Sequence, residues 1–214
     1  MRQRLNAGLA ALELALSDAT AERLLDYVDL LARWNSAYNL TAVRDPFEMV
    51  TRHLLDSLAV ANLIRGERVV DLGSGAGLPG IPLALAAADL GAPNRKFLLV
   101  DSNGKKARFL RAAVRELALG NVNVAESRVE AVQGEFDCVT SRAFATLADM
   151  LGWGGHLLAA DGVWLALKGR VEPAELAAIP ARFQVDEVRP LQVPGLEAGR
   201  CAVIITRHAA PEQS

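Results

Sequence analysis

A glycine-rich turn between two apolar segments is the first place in the sequence where residue types and spacing could do chemistry. Residues 69–87 read VVDLGSGAGLPGIPLALAA, and in this stretch Gly75, Gly77 and Gly80 satisfy the pattern GxGxxG. An apolar run, a glycine turn and a second apolar run at helical spacing predict a strand, a turn and a helix. Because the first N–H groups of a helix lack partners within it, this turn indicates a ligand-binding site.

Two carboxylates limit which ligand fits the turn. Asp71 directly precedes the glycines, and Asp101 ends the next apolar run, KFLLVD. The first carboxylate repels a phosphate and attracts a sulfonium or amino group, and the second can accept both hydroxyls of a ribose. We therefore expect Asp71 and Asp101 to contact a positively charged adenosine without phosphate. A nicotinamide or nucleotide-sugar oxidoreductase, and glycines that serve only the turn, are the alternatives.

A run of basic residues follows the second carboxylate. Lys105, Lys106, Arg108, Arg111 and Arg115 alternate with apolar residues at helical spacing, so most of them should lie on one exposed helix face. Such a face suits contact with RNA phosphates. An ordinary solvated helix face is the alternative.

Further candidate RNA contacts lie outside this run. Lys168 and Arg170 bracket the glycine after LALK, at the end of a predicted strand, and could hold phosphates beside the reacting group. Asn39, in WNSAYNLT, could hydrogen-bond to an exposed base or cap a turn. Trp34 and Tyr38 lie one helical turn apart, which favours core anchors over base stacking.

The pattern of apolar residues predicts the elements that position these side chains. Up to Ser57, apolar residues recur every three or four positions, which predicts helices. From Val69 onward, the runs VVDL, KFLLVD, NVNVAES, FDCVTSR and GVWLALKG alternate with helical or turn-rich segments, as in a parallel sheet covered on both faces. Residues 183–193 and 200–207 flank the short link PGLEAG, which predicts a hairpin and one antiparallel strand near the C-terminus. We expect a helical N-terminal extension over residues 1–58 and an α/β domain over residues 59–214.

The composition fits one domain of this kind and limits its partners. The chain has 214 residues, 51% of them hydrophobic, and a net charge of -2, so an RNA partner needs a local basic patch. Cys138 and Cys201 lack CxxC spacing and predict structural thiols, and the three scattered histidines give no reason to expect a metal. No apolar run reaches the roughly 18 residues of a membrane span. We expect a cytoplasmic monomer, with no membrane partner and a fraying tail, HAAPEQS.

Seven segments between residues 34 and 169 resemble, in the same order, the glucose-inhibited division protein B family of bacterial methyltransferases. They are WNSAYNLTAVRDP, HLLDSL, DLGSGAGLPGIPLA, LVDSNGKKARFLR, ESRVEAV, SRAFATL and LALKG. The resemblance implies a class I, Rossmann-like methyltransferase fold with S-adenosylmethionine as cofactor. It also implies a reaction, the methylation of guanine N7 in 16S ribosomal RNA, with that RNA or the small ribosomal subunit as partner.

The resemblance further implies which residues bind the cofactor. The side that carries methionine and adenosine would be lined by Gly73, Ser74, Gly75, Gly77 and Leu78. The ribose would meet Asp101 and Ser102, and the adenine would lie between Val129 and Glu130, although these two could equally be a core residue and a solvated one.

Arg142 would stand near the methyl-transfer site. Guanine N7 carries a lone pair and no proton, so the reaction needs no general base. We therefore expect Arg142 to orient the base or a phosphate. A noncatalytic RNA-binding module that has kept the fold is the remaining alternative.

Overall fold

The computed structural model describes residues 1–142 and 145–208, so most of the HAAPEQS tail and part of SRAFATL lie outside the described residues. The N-terminal part is helical. Helices α1 and α2 span Arg2–Ala11 and Asp18–Tyr38, and α3 (Pro46–Met49) continues through a π-helical turn, Val50–Leu55, into α4 (Asp56–Leu58). Ser17 caps α2, since its side chain accepts a hydrogen bond from the N–H of Thr20.

The remaining chain alternates strands with helices. The strands are β1 (Arg68–Leu72), β2 (Lys96–Asp101), β3 (Val122–Glu126), β4 (Phe136–Arg142), β5 (Leu158–Lys168), β6 (Phe183–Pro190) and β7 (Cys201–Arg207). The helices between them are α5 (Gly80–Ala86), α6 (Gly104–Glu116), α7 (Leu147–Gly154) and α8 (Pro173–Ala177). Short 3-10 turns cover Ala61–Leu63, Val129–Ala131 and Gly155–Leu157.

The seven strands form one sheet in the order β3-β2-β1-β4-β5-β7-β6. The first five strands are parallel, and β7 is antiparallel to both of its neighbours, β5 and β6. The predicted single antiparallel strand is therefore confirmed. Its physical reason is the short link after β6, which can reverse the chain but cannot cross the sheet.

Both faces of the sheet are covered by apolar side chains. Successive residues of β1 point to opposite faces, so Val69 belongs to one apolar cluster and Val70 to the other. The cluster around Val69 also contains side chains of α1, α2, α5 and α6, and the cluster around Val70 contains those of α7. The N-terminal helices thus share a core with one face of the sheet, and the domain boundary after residue 58 stays a prediction.

Helix α2 also bonds directly to the glycine turn. The hydroxyl of Tyr27, which is fully buried, donates a hydrogen bond of 2.6 Å to the carbonyl oxygen of Ala76. Burial raises the pKa of Tyr27 far above its ordinary value, so this hydroxyl stays protonated as a donor. Among the residues described, no helix is long and apolar enough to cross a membrane.

Candidate functional site

The glycine turn joins the carboxyl end of β1 to α5 and is held against β2. Gly75 and Gly77 have φ values of +59° and +85°, a region that side chains disfavour. The N–H of Gly75 donates to Oδ2 of Asp101 at 2.9 Å, and the N–H of Ser74 donates to the carbonyl oxygen of Val100 at 3.0 Å. These bonds fix the turn next to the carboxylate at the end of β2.

A cavity of about 350 Å³ opens beside this turn. It contains five of the predicted cofactor residues, namely Gly73, Asp101, Ser102, Val129 and Glu130. Sequence reasoning did not assign Ser127, Arg128 or Trp153 to the cofactor, and it assigned Lys106 to RNA, but all four line the same cavity. The ends of β1, β2 and β3 meet here because parallel strands bring their carboxyl ends to one edge.

Asp101 is the best-fixed polar group of the cavity. The residue is 7% exposed, and its two carboxylate oxygens accept from the N–H groups of Asn103 at 2.8 Å and Gly75 at 2.9 Å. The amine of Lys106 lies 3.9 Å from Oδ2. A carboxylate with these partners is held in place and keeps lone pairs that can accept the hydroxyls of a ribose.

Asp71 occupies a different position from the one expected. Its side chain is fully buried behind the turn, where it accepts from the N–H of Gly80 at 3.2 Å and from the hydroxyl of Thr140 at 3.0 Å. Burial raises the pKa of Asp71 to about 6, against the lowering effect of these hydrogen bonds and of Arg142. The expected direct contact is corrected to an indirect effect, because ligand atoms cannot reach an enclosed carboxylate.

Three other predicted cofactor residues support the turn from behind. Ser74 and Leu78 are each 2% exposed, and Gly77 is buried as well. The hydroxyl of Ser74 donates to the carbonyl oxygen of Asp71 at 2.7 Å. These residues shape the turn, and their contact with a cofactor stays a prediction.

A second cavity, of about 450 Å³, lies at the same edge of the sheet. It is lined by residues of the π-helical turn and α4, of the ends of β4 and β5, and of the link before β7, among them Arg52, His53, Asp56, Arg142, Lys168 and Arg200. Strand order reverses between β1 and β4, the place where open α/β sheets bind ligands. Arg142 follows this rule, as predicted from its position at the end of FDCVTSR.

Asp56 and Arg200 are the functional candidates that sequence reasoning missed. Asp56 is 6% exposed, and its carboxylate accepts from Arg142 at 3.2 Å and from Arg200 at 3.0 Å. In the sequence, Asp56 belongs to HLLDSL, one of the segments that carry the family resemblance, but the resemblance assigned it no role, and Arg200 follows a turn. An aspartate within an apolar helical pattern is a sequence signal that could have identified this group.

His53 lines the second cavity as a neutral side chain. Its Nδ1 lies 2.9 Å from the carbonyl oxygen of Arg52, which can only accept, and its Nε2 lies 2.9 Å from the hydroxyl of Thr41. The proton is therefore assigned to Nδ1, and the hydroxyl donates to Nε2. Burial lowers the pKa of His53 to about 4. With both ring nitrogens bonded inside the protein, His53 is not available as a general base.

Three predicted RNA contacts have partners within the protein. The amine of Lys168 pairs with Glu175 and donates to the carbonyl oxygen of Ala145 at 3.0 Å, so the expected phosphate contact is corrected to a bond that holds the loop after β4. Arg170 is exposed and pairs with Glu172 at 2.9 Å. Asn39 is the C-cap residue of α2, with φ +49°, and its Oδ1 accepts from Arg44 at 3.1 Å. This differs from a cap of the turn before the next helix, and the contact of Asn39 with a base stays a prediction.

The basic face of α6 is exposed, as its spacing predicts. Arg108, Arg111 and Arg115 line a groove of about 490 Å³ with Trp34, and Arg111 pairs with Glu126 at 2.9 Å. Within the described part of the chain, Lys105, Arg108 and Arg115 form no ion pair. Lys106 differs from the others because it turns towards the first cavity.

The aromatic pair beside this groove is anchored as well as exposed. The rings of Trp34 and Tyr38 stack with centroids 5.2 Å apart, and Trp34 also meets the edge of Phe109 at 5.6 Å. Tyr38 is 37% exposed. The core-anchor interpretation therefore holds for Trp34, which packs α2 against α6.

The matching family model and the similar sequences share one description. A family model described as GidB, rRNA small subunit methyltransferase G, matches residues 20–205. A protein of Stenotrophomonas maltophilia strain K279a called ribosomal RNA small subunit methyltransferase G is 54% identical over 204 residues, which cover 94% of this chain and 93% of the relative. A protein of the same name from Photobacterium profundum is 47% identical over 208 residues, which cover 96% of this chain and 98% of the relative. A solved SAM dependent methyltransferase from Aquifex aeolicus has a TM-score of 0.55 at 16% identity and covers 75% of this chain and 93% of that one. The predicted class I methyltransferase fold is confirmed.

Proposed function

Because the chain belongs to the GidB family of rRNA small subunit methyltransferases, we propose that it transfers a methyl group from S-adenosylmethionine to N7 of a guanine in 16S ribosomal RNA. The observation that carries the proposal is the pair of cavities at the carboxyl edge of the sheet. One is bounded by Asp101 and the other by Arg142, and they flank the point where strand order reverses. The protein acts as a monomer in the cytoplasm in this proposal.

The residues of the first cavity fit an adenosine without phosphate. Asp101 has lone pairs for the ribose hydroxyls, Val129 and Trp153 supply apolar surface for a purine, and Glu130 lies at the adenine side. A volume of about 350 Å³ is within the range of small-molecule sites. The enclosed carboxylate of Asp71 contributes negative potential behind the turn, which disfavours a pyrophosphate.

The chemistry requires orientation rather than proton transfer. When bound, S-adenosylmethionine supplies a methyl group on a positively charged sulfur. The new bond forms between the N7 lone pair and the methyl carbon, while the electrons of the old carbon–sulfur bond stay on sulfur. Since N7 has no proton to lose, the reaction does not need His53 as a general base. Holding two reactants in line and excluding water can lower the barrier by roughly 7–11 kcal/mol.

Arg142 has the position of an orienting donor for the guanine. Its side chain is 26% exposed and lines the second cavity, and its guanidinium is anchored through one nitrogen on Asp56. Arginine donors in a plane suit the O6 atom of guanine or a phosphate. Along α6, Lys105, Arg108 and Arg111 are the phosphate contacts in this proposal.

Binding and turnover measurements test the proposal. Calorimetry should detect S-adenosylhomocysteine and not NAD, and the reverse result favours an oxidoreductase. A single-turnover assay with labelled methyl donor and 16S ribosomal RNA should place the label on guanine N7 after nuclease digestion and mass mapping. Label on another atom removes the N7 assignment, and binding of RNA without any transfer supports a noncatalytic module.

A variant pair tests the role of Arg142. Arg142→Ala should lower the turnover about 100-fold or more while the protein stays folded, because one misplaced reactant costs this much. The matched control is Arg68→Ala, since Arg68 also pairs with an aspartate, Asp137 at 3.1 Å, but lies at the opposite end of the sheet. Unchanged turnover of Arg142→Ala would refute the positioning role.

A second variant pair tests the basic face of α6. Lys105→Gln and Arg108→Gln should each reduce the slope of log affinity for RNA against log salt by about 1. An unchanged slope in both variants would place the RNA elsewhere.

A further inference from the structure

A single buried carboxylate joins the N-terminal helical part to the edge of the sheet. Asp56 lies in α4, and its side chain reaches Arg142 at the end of β4 and Arg200 just before β7. These partners are 86 and 144 residues away along the chain. Three segments that are remote in sequence therefore meet at one side chain.

The geometry assigns one carboxylate oxygen to each arginine. Oδ2 accepts from Nη1 of Arg142 at 3.2 Å, and Oδ1 accepts from Nε of Arg200 at 3.0 Å. Arg200 is fixed a second time, because its Nη1 donates to the carbonyl oxygen of Gly199 at 3.0 Å. Within the described residues, the other guanidinium nitrogens of Arg142 have no protein acceptor, and the residue lines the cavity.

The charge balance of this group also favours an anionic or electron-rich ligand. One carboxylate faces two guanidinium groups, so the cluster keeps a net positive charge, and Arg52 adds to it on the same cavity. A simple pair of one carboxylate and one guanidinium is neutral. Asp137 and Arg68, one carboxylate and one guanidinium, are such a pair at the other end of the sheet.

We propose that Asp56 is a positioning residue that holds the guanidinium groups of Arg142 and Arg200 against the second cavity, so that both can bind the guanine nucleotide. The inference rests on the proposed function and deepens it. The same carboxylate holds the link between β6 and β7 at the cavity, because Leu191, Arg200 and Cys201 line it. The N–H of Leu191 donates to the carbonyl oxygen of Arg200 at 2.8 Å, which transmits the anchoring to the end of β6.

The test begins with Asp56→Asn, which keeps the size of the side chain and removes its charge. We expect the kcat for RNA methylation to fall about 10- to 100-fold. The affinity for S-adenosylhomocysteine should stay within about twofold, because Asp56 does not line the first cavity. Asp137→Asn is the matched control, since it removes a carboxylate from a comparable pair and should leave kcat unchanged. A kcat of Asp56→Asn within twofold of the parent protein, with the fold retained, would overturn the proposal.

A double-mutant cycle separates positioning from general stabilisation. If Asp56 acts through Arg142 and Arg200, adding Arg200→Gln to Asp56→Asn should lower kcat little further than Asp56→Asn alone. Losses that multiply in the double variant contradict the proposal. If Asp56→Asn does not fold, Asp56→Glu keeps the charge and moves it by one methylene. It should lower kcat without lowering cofactor affinity, and full activity there also contradicts the proposal.

A spectroscopic readout makes this test independent of the proposed reaction. In the parent protein, the Nε–H of Arg200 should give a slowly exchanging NMR signal, because it donates to a buried carboxylate. The signal should be lost in Asp56→Asn and kept in Asp137→Asn. If the parent protein does not methylate RNA, the proposed function fails while this signal still reports the anchoring, and its persistence in Asp56→Asn refutes the anchoring alone.

Discussion

Replacing Asp71 by asparagine should stabilise the protein at neutral pH, although it removes a charge next to the glycine turn. The asparagine can keep both hydrogen bonds, since its oxygen can accept from the N–H of Gly80 and its amide can donate to the oxygen of Thr140. The hydroxyl of Thr140 can then donate to the carbonyl oxygen of Val70, which lies 3.4 Å away. The change therefore removes the cost of burying a charge without leaving a polar group unpaired.

The magnitude follows from the pKa of this buried carboxyl group. Burial raises the pKa of Asp71 from 3.8 to about 6. At 1.36 kcal/mol per pH unit, the ionised form is disfavoured in the folded protein by about 3 kcal/mol. Because the folded state holds this proton more tightly than the unfolded chain, the contribution is favourable below about pH 4 and is lost as the pH rises through about 6.

Urea denaturation of both proteins between about pH 4 and pH 8 measures the effect. The free energy of unfolding of Asp71→Asn minus that of the parent protein should rise with pH to a plateau above pH 6, near 3 kcal/mol as an upper value. Asp137→Asn gives the opposite sign, since burial raises the pKa of Asp137 but hydrogen bonds from the backbone of Arg68 and Glu67 outweigh it and lower that pKa. A flat difference for Asp71→Asn would refute the reasoning.

Three further predictions concern packing, protonation and the loop after β4. In thermal unfolding, Gly80→Ala should destabilise the protein by about 1–3 kcal/mol, because its new Cβ would lie 2.3 Å from the side chain of Leu99. The control is Gly120→Ala, whose Cβ meets open space and which should change stability by less than about 0.5 kcal/mol. His53 should show no titration by NMR between about pH 5.5 and pH 8, and an inflection near 6.5 would contradict its buried, neutral state. Lys168→Gln should lower the free energy of unfolding by about 1–3 kcal/mol and leave the salt dependence of RNA binding unchanged. A smaller slope of log affinity against log salt would show that Lys168 does contact a phosphate.

The order of the elements could be predicted from the sequence because it depends on local patterns. Apolar runs of strand length alternate with helical segments, and the short link before β7 permits only an antiparallel return. The positions of Asp101 and Arg142 at strand ends also predict their place at the ligand-binding edge. These features need only the neighbours of each residue along the chain.

The tertiary structure decided whether a side chain points into the ligand-binding edge or away from it. The sequence placed Asp71 correctly in a strand but could not show that its carboxylate turns behind the glycine turn, towards Gly80 and Thr140. It placed Lys168 at a strand end but not beside Glu175. The same sequence pattern is compatible with either direction of the side chain, because different rotamers of a residue leave the pattern of apolar and polar residues unchanged.

The sequence by itself determined the fold class, the glycine turn, the strand-end carboxylate of Asp101 and the basic face of α6. Only the tertiary structure brought Asp56, Arg142 and Arg200 together, because contacts over 86 and 144 residues depend on the packing of the N-terminal helices against the completed sheet. A carboxylate among apolar helical residues is costly to bury without a partner, so the sequence indicates that Asp56 needs one. The packing of the core determines which partner Asp56 contacts.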